Sequence, residues 1–182
     1  MAEPIKSKDK GGSMNKNKRD YYFNIFLNLI RATYLNVEKE WQLVAGEVDL
    51  GYAQQHALWI LHVQDGLTLE ELGNIAIWNK STTSSLISKL EKKGFIEKRA
   101  NQDGTRAFKI YITQKGREIL ENSISTDRSE LFFEMFHEYT EEELIDFLEK
   151  LRKVCDIVGK TGHEDFNRYL EVYSKNLLSI IK

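Results

Sequence analysis

Apolar residues along this chain recur mostly at spacings of three and four, the period of helices that bury one face. From Asp20 to about Val44, Tyr22, Ile25, Phe26, Leu29, Ile30, Thr33 and Val37 share one broad face, and Tyr21, Phe23, Leu27, Tyr34 and Leu35 surround it. That is more apolar surface than one neighbouring helix covers. A second surface is required, either a partner subunit or the centre of a monomeric core. Gly46 and Gly51 bracket a loop. Tyr52 to Val63 then predicts a buried helix with Ala57, Leu58, Ile60 and Leu61 in the core.

The next pattern is a pair of short helices. Thr68 to Ala76 opens on a capping box, Thr68 with Glu71, and buries Leu69, Leu72 and Ile75 or Ala76. Ile77, Trp78 and Asn79 form a turn. The second helix starts near Lys80 or Ser81, turns Leu86, Ile87 and Leu90 to the core, and stops at Gly94, which suits a left-handed C′ position. Its first turns hold five hydroxyl residues in a row, Ser81 to Ser85, which are poor helix formers. The pair has the form of a helix-turn-helix. In that motif the N-terminal residues of the second helix reach base edges, and short hydroxyls suit contacts with bases and phosphates. The bland alternative is a solvated linker.

From Phe95 to Thr113 the period changes to two. Ile96 opens a strand, Asp103-Gly104 marks a turn, and Phe108, Ile110 and Ile112 alternate with Lys109 and Tyr111. A hairpin directly after a recognition helix is a wing, and Lys98, Arg99, Arg106 and Lys109 on it suit phosphate or a minor groove.

Helical spacing returns after Thr113, which caps a helix from Gln114 to about Phe136 containing the aromatic stretch LFFEMFHEY. Capping boxes at Thr140/Glu143 and Thr161/Glu164 open two more amphipathic helices. One carries Leu144, Phe147, Leu148, Leu151, Val154, Cys155 and Val158. The other carries Phe166, Tyr169, Leu170, Tyr173, Leu177, Ile180 and Ile181. Together with the first long helix they can form a helical dimerisation unit or complete a monomer core.

Net charge is only −2, but its distribution is uneven. Residues 77–117 hold ten Lys or Arg against three acids, a net of +7, and residues 118–182 a net of −7. A basic stripe on the segment built to touch DNA is the electrostatic footprint of a nucleic-acid binder. The chain has one Cys and one Pro, no apolar run long enough to span a bilayer and no signal-peptide pattern, which predicts a cytoplasmic protein. Met1 to Arg19 lacks periodicity and predicts a disordered lead, in which Gly11-Gly12-Ser13 before Met14 has the form of a tag remnant. His56 and His62, about 240° apart around a helix, do not suit one metal ion, and no cofactor motif is present. Cys155, on an apolar stripe, is expected to be a buried, inert thiol. No paired carboxylates, nucleophile elbow or Gly-rich phosphate loop suggests an enzyme.

The run LTLEELG, the helix STTSSLISKLEKKGFI, and the wing ending from Arg106 through Thr113 to Gly116 resemble the MarR family of winged helix-turn-helix regulators. VEKEWQ (Val37 to Gln42), HALWI (His56 to Ile60), SKLEKKG (Ser88 to Gly94) and GHEDFNRYLEVYSKNL (Gly162 to Leu177) resemble its Hpr (ScoC) type. One position departs from the family: Gly104 stands two residues before the wing Arg, where members usually place Asp, and Asp103 lies one step earlier.

The resemblance implies a mainly α fold with a small β-hairpin wing, and a winged helix-turn-helix domain joined to N- and C-terminal dimerisation helices. The expected division is 1–19 disordered, 20–50 N-terminal dimerisation helix, 51–117 DNA-binding domain and 118–182 C-terminal dimerisation helices. It implies a homodimer on a pseudo-palindromic operator, mainly a repressor of extracellular protease and sporulation genes. Base contacts are expected from Ser81, Thr82, Ser84, Ser85 and Ser88, with Thr83 pointing inward. Phosphate contacts are expected from Lys80, Lys89, Lys92, Lys98, Arg99, Arg106 and Lys109. The alternative is a repressor released by a small aromatic effector in a pocket lined by Trp41, Trp59, Tyr111 and residues 132–136.

Overall fold

The computed structural model describes residues 14–100, 108–126, 128, 133–158 and 164–180. In chain order come α1 (Lys16–Gly46), α2 (Tyr52–Val63), the two-residue strand β1 (Leu67–Thr68), α3 (Leu69–Ala76) and α4 (Lys80–Lys92). The strands β2 (Ile96–Ala100) and β3 (Phe108–Ile112) follow, then α5 (Gln114–Ile124), a 3-10 turn at Glu134–Phe136, α6 (Glu141–Val158) and α7 (Glu164–Ile180). The chain is mainly helical with one small antiparallel sheet, as its periodicities predict.

Two element boundaries differ from expectation. α1 begins at Lys16, so residues 16–19 are helical, and the Asn17 amide donates to Asn15 Oδ1 at 2.9 Å. α5 stops at Ile124 instead of running to Phe136. Ser123 Oγ donates to the Leu120 carbonyl at 2.6 Å and Ser125 Oγ to that of Glu121 at 2.9 Å. Hydroxyls that bond the backbone in this way compete with helix continuation. Residues 1–13 and Thr161 of the third capping box lie outside the described residues.

The chain divides into two compact units, residues 1–39 and 40–182. The first is most of α1. Among its described residues none is buried, and Tyr21, Phe23, Leu27, Leu29, Ile30, Tyr34 and Leu35 are exposed.

The second unit holds the core. Leu58, Ile60 and Leu61 of α2, Leu72 of α3, Ile87 and Leu90 of α4, Ile110 of β3 and Leu120 of α5 are fully buried. The sheet has the order β1-β3-β2, with Leu67 opposite Ile110 and Ile96 opposite Ile112. Gly116 allows the first turn of α5 to pack on the backbone of Phe95, just before β2: a Cβ there would lie 2.1 Å from the Phe95 carbonyl oxygen. A buried polar chain links the C-terminal part of α1 to α5. Trp41 Nε1 donates to Gln55 Oε1, and Gln55 Nε2 donates to Ser123 Oγ at 2.6 Å. α6 is different, because none of its residues is buried. Cys155 is therefore exposed and not the buried thiol its place on an apolar stripe suggests.

His56 of α2 lies between two indoles, 5.0 Å from the Trp41 ring and 5.5 Å from that of Trp78. Burial pushes its pKa down from 6.5 to about 4. The folded chain therefore keeps this imidazole neutral between pH 6.5 and 4, where the unfolded chain protonates it. Stability from this group is complete above pH 6.5 and falls as pH drops toward 4, by up to about 3 kcal/mol. Urea unfolding is expected to show about 2 kcal/mol of this loss between pH 7 and pH 5, and His56→Gln to remove most of it.

Candidate nucleic-acid interface

The interface is built from α3 outward. Thr68 caps α3: its Oγ1 accepts from the Glu71 amide at 3.2 Å, and Glu71 Oε2 accepts from the Thr68 amide at 2.8 Å. The helix ends on Ile77, whose φ of 58° and ψ of 39° are left-handed. The Trp78 amide turns back to the Gly73 carbonyl at 2.8 Å. Asn79 then caps α4, its Oδ1 accepting from the Thr82 amide at 2.9 Å and from Ser81 Oγ at 2.7 Å. Asn79 is a cap that apolar periodicity does not reveal.

Thr83 is fully buried, as expected, and its Oγ1 donates to the Asn79 carbonyl at 3.0 Å. A Cβ on Gly73 would come within 3.0 Å of that oxygen. The bare backbone of Gly73 lets the two helices cross this closely without displacing the Thr83 hydroxyl. Thr83, Ile87 and Leu90 form the inner stripe of α4, while Leu86 is half-buried at its edge.

The outer face of α4 carries the predicted residues. Lys80, Ser81, Thr82, Ser84, Ser85, Lys89 and Lys92 are exposed, and Ser88 is half-buried. Positions 81, 84, 85 and 88 follow the three-and-four spacing of one helix face. They extend from the positive end of the helix dipole, which attracts phosphate. The cations divide by position. Lys93 Nζ donates to the Asp49 carbonyl at 2.8 Å, Lys115 Nζ to the Lys93 carbonyl at 2.9 Å, and Arg117 pairs with Asp65 at 2.9 Å. These three hold loops together.

In the wing, Lys98 pairs with Glu91 at 2.6 Å. Arg99 pairs with Glu97 and lies 4.4 Å over the Tyr111 ring. Such solvent-exposed pairs are weak and leave both cations open to phosphate. Arg99 stands opposite Lys109 in the ladder. Like charges facing each other across strands cost stability, and an anion lying between them would offset that cost. Arg106, with Asp103 and Gly104, lies outside the described residues.

A groove of about 550 Å³ opens beside α4, lined by Thr68, Leu69, Glu70, Gly73, Asn74, Trp78, Lys80, Thr83 and Phe108. The aromatic residues expected to line a pocket are not in it. Trp41 packs on Tyr52 and His56, Trp59 lies near His62, and Tyr111 lies under Arg99. Phe133 and Phe136 are exposed, and Phe132 lies outside the described residues. His62 Nδ1 is 3.4 Å from Arg117, so the two histidines of α2 face different neighbours. Among the described residues no three His, Cys, Asp or Glu side chains gather as a metal site, and no helix is long and apolar enough to cross a membrane.

Residues 50–108 match the MarR family. The HTH-type transcriptional regulator Hpr of Geobacillus sp. (strain WCH70) is 32% identical over 92 residues, 50% of this chain and 46% of that protein. The chain thus spans about half the length of the curated relatives it matches first. The DNA-binding transcriptional repressor ScoC of Bacillus subtilis (strain 168) is 22% identical over 155 residues, 84% of this chain and 73% of that one. The structure of an S. aureus MepR–DNA complex shares the fold, with a TM-score of 0.62 at 24% identity over 72% of this chain and 96% of that one.

Ile77 is β-branched, left-handed and 63% exposed, so its strain is not offset by burial. Ile77→Asn is expected to raise unfolding free energy by about 1 kcal/mol. Urea denaturation checks this; an unchanged or lower midpoint would contradict the assignment of strain to this turn.

Proposed function

We infer that this chain, which belongs to the MarR family and is of the Hpr type, is a sequence-specific transcriptional regulator that binds duplex DNA as a homodimer. It is a regulator and not an enzyme. The observation that carries this reading is the open face of α4, where Ser81, Thr82, Ser84, Ser85 and Ser88 lie among Lys80, Lys89 and Lys92. In this account the hydroxyls meet base edges. The three lysines, with Lys98, Arg99, Arg106 and Lys109 of the wing, hold the phosphates on either side.

The exposed apolar residues of α1 and α6 support a dimer. A two-fold would set two α4 helices in successive major grooves, about 34 Å apart, on a pseudo-palindromic operator. By analogy with the Hpr type, the chain acts in the cytoplasm mainly as a repressor, on extracellular protease and sporulation genes. Occlusion of a promoter needs only this docking. A second reading, release from DNA by a small aromatic effector, is favoured by the groove beside α4, where Trp78 and Phe108 offer aromatic surface next to Lys80. An aromatic acid that raised Tm and released DNA would support it.

The test is a duplex titration over a range of salt. Six or more phosphate contacts per dimer would weaken binding roughly a thousandfold between 50 and 200 mM salt. Arg106→Ala should reduce the slope by about one for each protomer engaged, without changing the preferred sequence. A flat salt response would contradict the electrostatic part of this reading.

A further inference from the structure

We propose that α7 is an intrachain brace that holds α3, and through it the recognition helix α4, in DNA-binding geometry; its effect on affinity rests on the function proposed above. α3 has eight residues, too few for a helix to be stable without packing. One flank meets α2 and α4 through Leu72, Ile75 and Ala76. The other flank meets the first half of α7. There Tyr169 enters the core with 8% of its surface exposed, and Leu170 packs beside it.

Polar contacts fix the register of this packing. Asn74 Nδ2 donates to Asp165 Oδ2 at 2.9 Å. Arg168 pairs with Asp165 at 2.6 Å and stands 4.0 Å from Glu71, the carboxylate that caps α3. Arg168 is largely exposed, so these contacts orient α7 while burial of Tyr169 supplies most of the attraction. α3 in turn positions α4 through the close approach of Gly73 to Thr83. A helix attached at the far end of the chain therefore completes the support of the DNA-reading surface.

Three measurements on the full chain test the brace. In a Cys155→Ser background, Asn74→Cys with Asp165→Cys and a short bis-maleimide should give a cross-link that migrates as a monomer on a denaturing gel. A dimer-sized product would overturn the proposal by assigning α7 to the partner subunit. In Tyr169→Ala, hydrogen exchange at the amides of α3 should speed up at least tenfold, with the amides of α5 and β3 changed less than twofold. No selective change at α3 in a folded variant would overturn the proposal. Should that variant unfold, Asp165→Ala with Arg168→Ala decides: a selective two- to threefold loss of protection at α3 supports the brace, and none overturns it. Affinity of Tyr169→Ala for a duplex selected by the wild type from a random pool should fall at least tenfold, and unchanged affinity would overturn the link to DNA. If the wild type selects no duplex, the DNA-binding reading fails, while cross-linking and exchange still decide the brace.

Discussion

The crossing of α3 over α4 sets which face of α4 points outward. At that crossing the backbone of Gly73 lies against the Thr83 hydroxyl, which also donates to the Asn79 carbonyl. A side chain at position 73 would crowd the Thr83 hydroxyl, and a residue without a hydroxyl at position 83 would remove one of the two hydrogen bonds the Asn79 carbonyl accepts from Thr83. The Trp78 amide, returning to the Gly73 carbonyl, closes the turn. With the crossing set, the inner stripe Thr83, Ile87 and Leu90 is locked into the core, and the opposite face of α4 has to point outward. The strained Ile77 is a consequence, because a turn this short needs a left-handed residue whichever side chain occupies it.

The charge arrangement follows from the same frame. The basic segment spans α4 and the wing, and three of its cations hold neighbouring loops in place, while Lys80, Lys89, Lys92, Lys98 and Arg99 are exposed and Lys109 is half-buried. Wing cations paired with nearby carboxylates remain exposed, so exchanging a carboxylate for a phosphate costs little. Within the second unit, α6 exposes Ile145, Phe147, Leu148, Ile157 and Val158.

Much of this was legible in the sequence, for identifiable reasons. The Thr68/Glu71 and Thr140/Glu143 capping boxes form as their spacing predicts, because each is a local exchange of two hydrogen bonds. The stripe Ala57, Leu58, Ile60 and Leu61 is fully buried, and Thr83 points inward. Other features depend on tertiary context. β1 has two residues, too few to show a period, and exists because Leu67 meets Ile110. α5 stops where serine hydroxyls take backbone carbonyls, which competes with a pattern that otherwise continues. Cys155 is exposed because the stripe it occupies is at most half-buried among the described residues. Nor does helical periodicity show that α7 returns to α3, since spacing gives a face and not its partner. The outward placement of Ser81, Thr82, Ser84 and Ser85 was legible because Leu86, Ile87 and Leu90 mark the inner side of the same helix.

Selection of duplexes from a random pool by the purified chain at near-physiological salt tests the central claim, that the hydroxyl face of α4 reads sequence. The expected result is an enriched two-fold-symmetric motif with half-sites about one helical turn apart, altered within each half-site by Ser84→Ala with Ser85→Ala. Bulk, salt-sensitive binding with no enriched motif, or a motif unchanged by those substitutions, would contradict it.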